Sequence, residues 1–167
     1  MRGFTLLETI VAIAVLTLVF LGPLAVATYA LSNSSVSSNQ VIAYNLAIEG
    51  MELIINKRDS LIFADPEEGW SNFNAQVSSC SGGCTVEVTN SEVSGCGSSP
   101  CPALRRDATS GIYSYDSSDP PSIFERRILI SEGDFPNEKK AQVTIKWQEK
   151  NESRRSFTLE RYVYNRI

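Results

Sequence analysis

The chain has 167 residues, 43% apolar and 20% charged, which is enough for one domain with its own core. Its net charge is −4, which argues against broad electrostatic binding to nucleic acid. It contains no histidine, so Ser-His-Asp and Cys-His catalytic sites are excluded, and the commonest metal ligand is missing.

The apolar residues are unevenly placed: residues 9–48 carry no charged side chain. The apolar run from Thr9 to Leu31 is near the roughly 20 residues that span a bilayer as a helix. Arg2 precedes it, as expected where the N-terminus stays in the cytoplasm. An ordinary secretory signal would use Ala25-Val26-Ala27 as its cleavage site, but it would have a stronger basic region and no Glu8. A plain anchor leaves Glu8 unexplained, because a carboxylate within an apolar span is costly and usually has a task.

Gly3-Phe4-Thr5-Leu6-Leu7-Glu8 resembles the class III signal of type IV pilins and pseudopilins. The resemblance implies cleavage by a prepilin peptidase between Gly3 and Phe4, followed by N-methylation of Phe4. Glu8 then becomes the fifth residue of the mature chain, the family's glutamate position. The expected role of Glu8 is filament assembly, by pairing with the amine of a neighbouring Phe4, since an unpaired carboxylate in hydrocarbon costs several kcal/mol. Gly22 and Pro23 interrupt the run, and proline in a helix removes a hydrogen bond, so a kink or local melting is expected there.

Ser32-Asn33-Ser34-Ser35 looks like a break, yet a helical pattern follows it. Val36, Ala43, Ala47, Met51 and Ile54 recur at helical spacing, widened by Tyr44, Ile48 and Ile55. Asn39, Asn45, Glu49, Glu52 and Asn56 fall on the opposite, solvated face. Lys57 and Arg58 suit a last turn, where the helix dipole favours cations. The pattern predicts one helix from Phe4 to about Arg58. The stretch 45–53, with Lys57-Arg58-Asp59, resembles minor pilins of the V type and I-type pseudopilins.

From about Leu61 the periodicity changes, and 64–69 is rich in turn residues. Strands are expected at 85–88, 111–115, 124–130, 141–147 and 156–164, several alternating apolar and polar residues. Helix followed by antiparallel strands predicts an α+β fold, with the sheet on the second half of the helix, and this is also the layout that the pilin resemblance implies. Cys80, Cys84, Cys96 and Cys101 lie in Gly/Ser-rich loops. Their C-x3-C and C-x4-C spacings depart from zinc ribbons, so disulfides are expected and no metal. Of the three possible pairings, Cys80–Cys84 and Cys96–Cys101 would close small loops in a segment with few apolar residues. Three basic pairs, Arg105-Arg106, Arg126-Arg127 and Arg154-Arg155, read as scattered solvated arginines.

The domains expected are a leader at 1–3, a transmembrane or filament-core helix at 4–31, its amphipathic continuation at 32–59 and a β-rich head at 60–167. No enzymatic activity, cofactor or nucleic-acid partner is expected. The resemblance implies a minor pilin or pseudopilin held in the inner membrane with its head outside, then carried into a cell-surface or periplasmic filament. Its implied partners are other pilin subunits, the prepilin peptidase, the inner-membrane assembly platform and, before assembly, the lipid bilayer. Such filaments serve adhesion, motility, DNA uptake or secretion. The alternative is a membrane-anchored binding or adhesion protein that does not assemble.

Overall fold

The computed structural model describes residues 5–97, 99–149 and 154–165. In chain order the elements are α1 (Leu6–Ala64), α2 (Gly69–Gln76), a 3-10 turn (Ser78–Gly82), β1 (Cys84–Val86), β2 (Val93–Gly95), β3 (Ala103–Arg106), β4 (Tyr113–Ser114), β5 (Pro121–Glu132), β6 (Glu138–Gln148) and β7 (Arg154–Tyr164). The chain divides into two compact units, Met1–Gln40 and Val41–Ile167.

In the first unit the backbone is helical from Leu6 onward. The helix runs without interruption through Gly22 and Pro23, so the local melting expected there does not occur, and it continues through Ser32–Ser35 as the single helix expected. The side chains from Thr5 to Leu31 whose exposure is described are all exposed, among them Leu7, Ile10, Leu16 and Phe20. The segment is long and apolar enough to cross a membrane.

The second unit is an α+β fold, with the later half of α1 packed on an antiparallel sheet. Its helix buries Ala43, Ala47, Met51 and Ile54, as the spacing predicts, and adds Leu46, Gly50 and Arg58. Tyr44 lies largely outside the core but meets the Phe157 ring edge-on at 5.5 Å. The helix continues past Arg58 because nothing in Asp59–Phe63 breaks it; Asp65 precedes Pro66, and a residue before proline is pushed away from helical geometry. Lys57 and Arg58 are therefore not in the last turn. Instead, Lys57 Nζ donates to the Ser91 carbonyl at 3.1 Å, and Arg58 Nη1 donates to the Tyr164 carbonyl at 3.3 Å.

The sheet order is β2-β1-β5-β3-β4, with β6 on the other edge of β5 and β7 beside β6. Alternation decides which face is inside. Phe124, Arg126, Ile128 and Ile130 of β5 are buried, as are Ala141, Val143, Ile145 and Trp147 of β6. The register places Ile128 opposite Val143 and Val143 opposite Leu159, so each row spans three strands with apolar contacts. β7 is only half-buried: Phe157 and Leu159 are partly covered, Val163 is buried and Arg161 is exposed.

Four elements were not expected: α2, the 3-10 turn, β2 and β3. α2 is largely polar, yet Trp70 and Phe73 stack with centroids 5.4 Å apart, and Phe73 and Val77 are in the core. β2 and β3 are too short to show alternation. β1 ends at Val86 rather than Val88, and β4 has only Tyr113 and Ser114.

Candidate functional site

Three features of the structure bear on function. The first is the start of α1. Thr5 precedes the helix, and the Glu8 N–H donates to the Thr5 carbonyl at 3.0 Å and, more weakly, to Thr5 Oγ1 at 3.4 Å. Thr5-Leu6-Leu7-Glu8 thus has the spacing of a capping box, and a carboxylate in a first turn is favoured by the helix dipole by about 0.3–1 kcal/mol. Glu8 is exposed and lies at one end of the apolar surface. Gly3 and Phe4, the expected cleavage and methylation positions, lie outside the described residues.

The second feature is a clamp between helix and sheet. Gly50 is the point of closest approach: a Cβ there would lie 2.9 Å from Arg126 Cδ and 3.0 Å from Val143 Cγ1. That clearance lets the fully buried Arg126 side chain pass beneath the helix. Arg126 Nη1 donates to Glu49 Oε1 at 3.1 Å, and Nη2 donates to the Val86 carbonyl at 3.1 Å. Its guanidinium carbon lies 5.9 Å from the centre of the Tyr115 ring, and Tyr115 Oη donates to the Arg126 carbonyl at 3.3 Å. Burial raises the Tyr115 hydroxyl pKa, partly offset by Arg126. One guanidinium therefore ties α1, β1 and β5 together. This corrects two expectations: Glu49 is not simply on a solvated face, and Arg126 is not a solvated arginine.

The third feature is the cysteine region. Cys80 is bridged to Cys84, and Cys96 to Cys101, with Cα separations of 4.6 and 5.2 Å. Such short loops limit each bridge to about 2 kcal/mol of unfolded-state entropy. The outer face of β5 supplies the rest of the anchoring. Arg127 Nη2 donates to the Gly82 carbonyl and to the Gly97 carbonyl, the latter at 3.1 Å, which joins the two disulfide loops. The Cys101 N–H donates to Glu125 Oε1 at 3.2 Å, and the Cys96 N–H donates to the Gly83 carbonyl at 2.8 Å. Gly83 has φ +102°, and a Cβ on it would lie 2.4 Å from Arg127 Nε, so only glycine fits. Arg127 too is thus engaged rather than solvated.

The local pairing has a simple check, since Glu87 and Glu92 separate the two bridges in the sequence. Cleavage after glutamate without reductant is expected to release the Cys80–Cys84 and Cys96–Cys101 peptides as separate masses. A single linked mass would mean crossed pairing.

Two of the Arg126 nitrogens are spent on protein acceptors, the four cysteines are oxidised, and no cluster of metal-ligating side chains occurs among the described residues. The Arg105-Arg106 pair is engaged locally, Arg105 with the Asp119 carbonyl and Arg106 over the Tyr113 ring, while Arg154 and Arg155 are exposed. No signal of composition pointed to Arg126, but its parity did, since it shares a face with Phe124 and Ile128. Compared with protein-family models, curated proteins and solved structures, the chain matches none.

Proposed function

We propose that this chain is a structural subunit, a minor pilin or pseudopilin, of a type IV pilus-like filament. It is made with the leader Met1-Arg2-Gly3, cut before Phe4 and methylated there. The observation that carries this reading is the first half of α1. Its described side chains from Thr5 to Leu31 are all exposed, they are nearly all apolar, and Glu8 in its first turn is the one charged group among them. An apolar surface of this extent needs a cover, either lipid or helices of the same kind. Lipid would cover it before assembly, and neighbouring subunits within the filament. Glu8 then gives the exchange a direction, because a carboxylate gains more from a neighbour's amine than from hydrocarbon.

Shearing filaments from cells that make this protein tests the reading. The chain is expected in the sheared fraction at low copy number. If it stays wholly in the membrane fraction while filaments are shed, the filament reading fails and the anchored binding protein replaces it.

A further inference from the structure

We infer that the outer face of the sheet carries a binding cleft for a phosphate group, independent of the helix and of any filament. A cleft of about 690 Å³ opens beside the second disulfide loop, within the range of small-molecule sites. The charged side chains of its outer-face lining are Arg127, Lys146, Arg154 and Glu125, with Ile123 as an apolar wall. Three cations, Arg127, Lys146 and Arg154, therefore share the outer face with one carboxylate, Glu125, which lies opposite Lys146, in a chain whose net charge is −4. The single carboxylate is partly engaged already, since Glu125 Oε1 accepts the Cys101 N–H.

The strand register explains how the cations come together. Arg127 lies opposite Thr144, two residues from Lys146 on the same strand. Lys146 lies opposite Ser156, two residues from Arg154. Arg127, Lys146 and Arg154 are therefore successive diagonal neighbours on one face, at spacings of roughly 7–8 Å. Like charges so placed repel one another, and no ion pair joins Lys146, Arg154 or Arg155 to a carboxylate among the described residues. Ile123 is 49% exposed, and Pro100 adjoins Cys101 of the rigid loop. A phosphate brings close to two negative charges and three acceptor oxygens, and guanidinium groups match its geometry. The apolar wall suits the organic part of a phosphate ester. That phosphate could belong to a small soluble ester or to a nucleic-acid strand.

The test uses the full chain in neutral detergent micelles, with isothermal titration calorimetry as the readout. Pyrophosphate at constant ionic strength is expected to give a saturable heat signal that chloride does not. Lys146→Ala with Arg154→Ala is expected to weaken it at least tenfold without lowering the thermal midpoint, while Arg106→Ala has no effect. A short oligothymidylate, if it binds, is expected to be displaced by pyrophosphate. A signal that does not saturate, or one unaltered in the double variant, overturns the site. Oligothymidylate binding that pyrophosphate fails to displace also overturns it, because recognition would then lie on an extended surface. None of these outcomes bears on the filament reading, which this assay does not touch.

Discussion

Glu49→Ala is expected to lower the thermal midpoint of the head by roughly 8–15 °C, corresponding to about 2–4 kcal/mol. The reason is an asymmetry within the pair. The Arg126 side chain is fully buried, whereas 37% of the Glu49 side chain is exposed. Removing Glu49 leaves a guanidinium under the helix with one acceptor, the Val86 carbonyl, and the unpaired charge dominates the loss. The figure lies below the usual 3–5 kcal/mol for breaking a buried pair because water reaches the vacated Glu49 position. Glu49→Leu combined with Arg126→Met removes both charges at similar volume and is expected to recover most of the midpoint. Thermal unfolding of the two variants in detergent distinguishes the cases. If the single variant matched the wild type within about 2 °C, the clamp would contribute little.

The second large effect is on assembly. Glu8→Ala is expected to reduce incorporation into filaments tenfold to a hundredfold while the amount in the membrane and the midpoint of the head stay unchanged. Translocon-scale costs of about 2.5–3.5 kcal/mol for a charge at mid-membrane set the upper limit, since each 1.4 kcal/mol is a factor of ten. The position of Glu8 at the end of the run lowers it. Capping is the competing account, because Thr5 and Glu8 have capping-box spacing. Glu8→Gln separates the two. Glutamine serves a capping box as glutamate does, but it carries no charge. Both variants are expected to fail in assembly. A Glu8→Gln chain that assembles normally would assign Glu8 to the helix cap instead.

Much of the fold was legible where one periodicity dominates. Ala43, Ala47, Met51 and Ile54 fix the buried stripe of the helix, and Val143, Ile145 and Trp147 fix the inner face of β6. The helix end was misplaced because Lys57 and Arg58 look like a dipole-favoured terminus, whereas Asp65-Pro66 is the real stop. α2 hides its apolar contacts, Trp70, Phe73 and Val77, among serine, asparagine and glutamine. β2 and β3 are three and four residues long, held by hairpin pairing to β1 and β4 and, for β3, by the more distant β5, and so leave little local trace. Arg126 was misread because composition treats arginine as exposed. The alternation of Phe124, Arg126, Ile128 and Ile130 places it inside, and only the pairing with Glu49 makes that burial tolerable. The gathering of Arg127, Lys146 and Arg154 depends on the register of three strands, which no stretch of sequence displays.

The exposed apolar helix gives the filament account its physical basis, and the account depends on how the N-terminus is processed. Mass spectrometry of the mature N-terminal peptide, from protein extracted out of the membrane, tests this most directly. The account predicts a chain that begins at an N-methylated Phe4. A chain beginning at Thr28, after Ala25-Val26-Ala27, would have lost both Glu8 and most of the apolar helix, and would contradict it.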